Sequence, residues 1–177
     1  STNISLARLR DHRQLAAHFS REAEKSDPPG VIISAWPTIE LSAAAVQYGR
    51  RHGVPVILDM RDMWPDIFIE SSPPGFRYPG RILLTKLFRD ARRTCSAAIA
   101  ITGITEAFVD WGVKKARRTR TLQDISFPMG YPKADFPADK IRAAESFWDG
   151  LGIYAGKGFV ACFLGSFGRQ LDVECLI

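Results

Sequence analysis

Four short apolar runs, Val31–Ser34, Val54–Leu58, Ala97–Ile101 and Phe159–Leu164, are separated by stretches whose apolar residues recur every three or four positions. A run this short, bounded by turn residues, reads as a strand buried on both faces, whereas the three-to-four spacing is that of an amphipathic helix. Strands and helices therefore alternate, which gives βαβ units. The fold class is α/β, a doubly wound, mostly parallel Rossmann-like sheet with helices on both sides.

Between the runs, Leu6, Leu9, Leu15, Ala16, Phe19 and Ala23 share one face of an opening helix that Asp27-Pro-Pro-Gly30 ends. Pro37 and Thr38 introduce an alanine-rich helix from about 38 to 52, closed by His52-Gly53. Residues 59–80, rich in Pro, Gly and aromatics, read as a long functional loop. Arg81 to Arg93 is helical, its leucines on one side and Arg81, Lys86, Arg89, Arg92 and Arg93 around them. Thr105 opens a helix carrying Phe108, Val109 and Trp111, and the basic run Lys114–Arg118 suits its carboxyl end. Ile125–Phe127 is a candidate fourth strand, and Ala138–Leu151 a helix with Ile141, Ala144, Phe147 and Trp148 as its apolar face. The last residues, Leu171-Asp-Val-Glu-Cys-Leu-Ile177, begin a helix and stop, and the chain opens without Met, so it reads as a fragment.

Composition narrows the class of partner only loosely. The chain is 46% hydrophobic and 24% charged, an ordinary globular balance, and its net charge of +5 favours anionic partners without choosing among them. Cys95, Cys162 and Cys175 are far apart among apolar neighbours and read as reduced, buried thiols. No apolar stretch approaches the ~18 residues of a membrane span, and the N-terminus is too polar for a signal peptide. The expected location is cytoplasmic, with any membrane contact peripheral. His12, His18 and His52 read as solvated helix residues, and no metal is expected. There is no GxSxG, P-loop or Cys–His pairing, which removes the common hydrolase and NTPase classes.

Ligands of open parallel sheets bind beyond the carboxyl ends of the strands. The residues to examine are thus Ser34–Thr38, Asp59–Trp64, Thr102–Thr105 and Gly165–Arg169. Thr105 and Gly165 each precede a helix start, where free N–H groups suit an anion. Each also has a plain structural reading. Asp66 is a cap or turn former, Arg61 a partner for a neighbouring acid, Thr105 an N-cap, and Gly165-Ser-Phe-Gly168 a tight turn short of GxGxxG.

The ordered segments SAWPTIELSAAAVQYGRRHGVPVILDMRDMWPDIF, AIAITGITEAFVDWGV, FPMGYP and FVACFLGSFGRQLDVECLI resemble family-4 retaining glycosyltransferases of the GT-B fold. Among these the chain is most similar to the bacterial surface-polysaccharide members with an RDxWP motif. The resemblance runs from about Val31 onward. It implies two facing Rossmann-like domains. Residues 1–151 would be the later part of the N-terminal, acceptor-side domain, and 152–177 the linker and first βα unit of the donor-side domain.

By the same resemblance, Arg61, Asp62 and Thr105 position the acceptor or a phosphate, while Gly165, Ser166, Gly168 and Arg169 form the loop that meets the donor phosphates. Many members carry His-Asp where this chain has Arg61-Asp62. Arginine stays protonated, so its role here is electrostatic. Met129 stands for the Asn of the family's Pro-Asn-Gly, leaving only the turn at Gly130 to carry over. The implied partners are a nucleotide-sugar donor, a lipid-diphosphate or saccharide acceptor and an anionic membrane. No cofactor, metal or nucleic acid is implied. The main donor-gripping residues are expected beyond this chain, leaving the 177 residues inactive alone. The alternatives are another Rossmann enzyme, such as a nicotinamide-dependent oxidoreductase, and a non-enzymatic module that docks on a membrane. For the latter, residues 76–93 combine aromatics, a leucine face and cations as an interfacial helix does, or else form a core helix with a basic exterior.

Overall fold

The computed structural model describes residues 6–154 and 156–165. The chain divides into two units, residues 1–130 and 131–177. In the first, β1 (Ile32–Trp36), β2 (Val56–Met60) and β3 (Ala100–Gly103) form a three-stranded parallel sheet in the order β1-β2-β3. The first unit also holds α1 (Leu6–Ala23), α2 (Ile39–His52), α3 (Asp66–Glu70), α4 (Pro74–Leu83), α5 (Thr85–Ala97) and α6 (Glu106–Ala116). The α/β class and the parallel sheet are those read from the sequence.

The second helical layer of a doubly wound sheet is not among the described residues. Two right-handed crossovers that step in the same direction keep their helices on one face, and only a reversal of strand order moves them to the other. Here α2 and α5 pack side by side, and α6 packs on α5 and β3. Their common side of the sheet carries Ser34, Trp36, Val56, Leu58, Met60 and Ile101, all buried. On the other face Ala35 is exposed and Ile33 is 68% exposed. The expectation of a first strand buried on both sides is therefore corrected.

Packing of helices on that one face is close. Gly49 of α2 passes β2 so tightly that a Cβ there would lie 2.5 Å from the Val54 carbonyl oxygen. Gly112 of α6 leaves 2.7 Å between such a Cβ and the Ile101 side chain. The Ser34 and Ser42 hydroxyls bond each other at 3.0 Å, which satisfies two polar groups inside the α2–β1 contact. Gly53, at φ 68°, ends α2 in the left-handed conformation that glycine adopts without a Cβ penalty.

Residues 59–80 are not one loop. Helix α3 and most of α4 lie within them, and the expected helix from Arg81 is divided between α4 and α5 at Leu84. Pro73 and Pro74 look like breakers, but Pro fits the first position of a helix, where its missing N–H has no partner to lose. The fourth strand reduces to one parallel bridge between Gly103 and Ser126, with Phe127 N donating to Gly103 O at 2.7 Å.

Just before that bridge, Asp124 is 2% exposed and fastens β3. Its carboxylate accepts the Ile101 N–H at 2.8 Å and the Thr121 N–H at 2.7 Å, together with both Arg118 terminal nitrogens at 2.6 Å. Burial opposes its charge, but the Arg118 bonds, the two N–H groups and the Thr121 hydroxyl outweigh burial and hold the carboxyl well below the usual range.

In the second unit, α7 (Ala138–Gly150) matches the expected helix but buries no residue. The strand expected at Phe159–Leu164 is not formed. The segment pairs with no strand among the described residues, and Phe159 and Leu164 are 95% and 97% exposed. A lone segment with no neighbouring strand has no ladder to join. Cys162 is exposed, against the reading of buried thiols, whereas Cys95 is buried and Cys175 lies outside the described residues.

Because Asp124 is depressed in the folded state, its contribution is complete above the ordinary carboxylate pKa of about 4 and is lost as pH falls below it. Asp124→Ala leaves Arg118 and two backbone N–H groups without their acceptor and is expected to lower unfolding stability by about 3 kcal/mol. Urea titrations at neutral and acid pH check this, since the gap between wild type and variant must narrow on acidification.

Candidate functional site at the carboxyl rim of the sheet

The parallel register pairs Asp59 with Thr102 and Met60 with Gly103. The segments beginning at Arg61 and Ile104 therefore leave the sheet side by side, which brings Arg61, Asp62 and Thr105 to adjacent strand ends. Thr102 Oγ1 donates to Asp59 Oδ1 at 3.1 Å, and Arg61 Nε donates to Asp59 Oδ2 at 2.7 Å. Asp59 is thus the partner of Arg61, in line with the plain reading of that arginine. Asp62 does not hold Arg61. Its Oδ1 accepts the adjacent Met63 N–H at 2.7 Å.

The grip on Arg61 has a useful geometry. Only Nε is engaged, so the two terminal nitrogens make no hydrogen bond among the described residues. The Arg61 side chain is 63% exposed, and an exposed pair of this kind is worth at most about 1 kcal/mol. A planar guanidinium fixed through Nε presents its other donors to an incoming oxyanion as a fork.

Thr105 is extended, at φ −141° and ψ 162°, and its hydroxyl accepts the Phe108 N–H at 3.4 Å. It is the N-cap of α6 as read from the sequence. Beside it, Glu106 pairs with Arg120 and accepts from the Ser126 hydroxyl, and Arg120 also reaches Asp110 at 3.0 Å. The hydrogen bond from Arg120, then that from Ser126, lowers the Glu106 pKa. This exposed network was not anticipated from the sequence, because its members lie up to 20 residues apart.

The exit of β2 is anchored by aromatics. Trp36 Nε1 donates to the Trp64 carbonyl at 3.1 Å, Trp64 packs edge-on to Phe68 at 4.6 Å, and Pro65 is fully buried. Asp66 is the first residue of α3 rather than its cap, which is Pro65, and instead of capping it pairs with Lys115 at 2.5 Å. His12 corrects the expectation of three solvated histidines. Its side chain is 13% exposed, 3.7 Å from Glu40 Oε2 and beside the Trp64 ring. His52 pairs with Glu24 at 3.0 Å and stacks on Tyr48. Neither contact is encoded in local spacing.

In the second unit, Gly165 follows a segment that is neither helix nor strand, and Ser166, Gly168 and Arg169 lie outside the described residues. A groove of about 1130 Å³ in that unit is lined mainly by Phe136, Ile141, Trp148, Ile153, Val160 and Phe163. It runs along α7, and Lys140, Glu145 and Asp149 of that helix also line it. Among the described residues no cluster of His, Cys, Asp and Glu is arranged to hold a metal ion. No family model matches the chain, and neither does any curated protein or solved structure.

Thr105→Val keeps the shape of the side chain but removes the cap acceptor. It is expected to cost about 1 kcal/mol and to speed amide exchange at Phe108, as read by hydrogen–deuterium exchange. Unchanged protection at Phe108 would remove Thr105 from that role.

Proposed function

We propose that this chain belongs to a retaining glycosyltransferase of GT-B architecture that moves a sugar from a nucleotide-sugar to a lipid-diphosphate or saccharide acceptor. The setting is bacterial surface-polysaccharide assembly in the cytoplasm, at the inner face of the membrane. Residues 1–151 form the acceptor side, and the segment Gly165–Arg169 belongs to the donor side. One observation carries the reading: Arg61 is held through Nε by Asp59 at the carboxyl end of a parallel sheet, with its terminal nitrogens open. That is the place where ligands of such sheets bind and the donor pattern that recognises phosphate.

In this role Arg61 binds and orients a diphosphate and takes no part in proton transfer, since its guanidinium stays charged. Asp59 sets the plane of the guanidinium, and Thr102 fixes Asp59. Thr105 and the first turn of α6 add backbone N–H groups and the positive end of the helix dipole.

Farnesyl diphosphate is a soluble short-chain probe for the acceptor head group. Isothermal titration is expected to show binding that Arg61→Ala weakens at least tenfold, the value of about one charge-assisted bond of 1.5–3 kcal/mol. Arg61→Lys, a point charge without the fork, is expected to fall between. Equal affinity in wild type and Arg61→Ala would refute the assignment.

A further inference from the structure

Helix α4 buries none of its residues. Phe76, Tyr78, Ile82 and Leu83 are between 60% and 82% exposed, so one short helix offers four large apolar side chains to solvent. The inner side of the helix is occupied by other residues. Gly80 lies against Ile69 of α3, and Arg77 donates to the Ser72 and Glu70 carbonyls. Tyr78 and Ile82, four residues apart, share the opposite side, and Pro79 and Leu83 continue it.

The chain runs almost without interruption into α5. Leu84 N donates to Gly80 O and Phe88 N to Leu84 O, so helical bonding crosses the boundary between the two helices. Counting on from Ile82, Arg89 and Arg93 return to the side of Tyr78 and Ile82 at seven and eleven residues. The exposed side of α5 carries Lys86, Arg89, Arg92 and Arg93, and its buried side Ala91, Thr94 and Cys95. Lys86 is paired with Asp90 at 2.6 Å, but Arg89, Arg92 and Arg93 have no ion-pair partner among the described residues.

We propose that α4 and the outer side of α5 dock on an anionic lipid surface, α4 lying in the interface with Tyr78, Ile82 and Leu83 among the acyl chains and Arg89, Arg92 and Arg93 at the lipid phosphates. An interfacial helix combines these features: aromatic and aliphatic side chains that gain by leaving water, and cations that meet head groups. Charge complementarity selects the partner, because Arg89, Arg92 and Arg93 on this surface have no ion-pair partner among the described residues and its one acid, Asp90, is already neutralised by Lys86. No helix among the described residues is long and apolar enough to cross a membrane, so the contact is one of lying on the surface. None of these residues is among Asp59, Arg61, Asp62, Thr102 and Thr105, the rim residues that the transferase reading uses, and the docking stands or falls separately from it.

Vesicle flotation of the 177-residue chain tests the proposal. With phosphatidylcholine vesicles containing phosphatidylglycerol the wild type is expected to float, and with pure phosphatidylcholine it is expected to stay at the bottom. Raising the salt concentration is expected to release it. Arg89→Ala/Arg92→Ala/Arg93→Ala is expected to weaken binding about a hundredfold, a factor of roughly five per cation. Ile82→Ser/Leu83→Ser is expected to weaken it at unchanged charge, and both variants change only exposed positions, so circular dichroism should match the wild type. Equal flotation on the two vesicle types, or wild-type flotation by either variant, would overturn the proposal. So would a wild type that ignores both vesicle types, which would point instead to a protein partner for α4.

Discussion

Strand β2 is hydrogen-bonded on both sides, and everything at the rim takes its position from that fact. Parallel pairing fixes which residue faces which, and a slip of one position would turn every side chain to the opposite face. In the register present, Leu58 lies between Ser34 and Ile101 under the helices, while Asp59 lies between Ala35 and Thr102 on the open face. The acid that holds Arg61 is therefore placed by the same alternation that buries Leu58. Anchoring of Ile101 by Asp124 secures the far side of this arrangement.

Two aspartates of the sheet illustrate how surroundings divide structural from functional duty. Asp124 is buried and accepts bonds from Arg118, Thr121 and Ile101, so its lone pairs are committed. Asp59 is bonded to one hydroxyl and one nitrogen of a largely exposed arginine. Removing a partner from the first leaves buried groups unsatisfied, whereas the exposed bridge at the second is cheap to rearrange. Rigidity is concentrated one strand away from the place where a ligand has room to compete.

Much of the framework was legible because it depends on local periodicity. The span of α1, the closure of α2 at Gly53, the Thr105 cap and α7 all follow from spacing and end signals within a few residues. Strand limits shifted by two or three residues, β2 from 54–58 to 56–60 and β3 from 97–101 to 100–103, the latter because the alanine-rich stretch at 97–100 fits helix and strand alike. There the packing of Ala91 and Cys95 carries α5 on to Ala97. The helices at 66–83 were hidden by prolines that are breakers inside a helix and starters at its first turn. At the rim, the positions of Arg61, Asp62 and Thr105 were legible from the strand ends. That Asp59 rather than Asp62 holds Arg61, and that His12 meets Glu40, depend on tertiary proximity that no spacing carries.

Cys95 lies wholly under α5, against the core formed by β2, β3 and α6. Burial pushes its thiol up to about 12, the charges of Lys115 and Arg118 offsetting only part of that effect. At neutral pH it is therefore protonated as well as shielded, and it is inert to alkylating reagents and oxidants that need a thiolate. Cys162, by contrast, is exposed to solvent and lacks that shielding. The two sulfurs give the chain a fast and a slow chemical clock, and the slow one advances only when α5 lifts from the sheet.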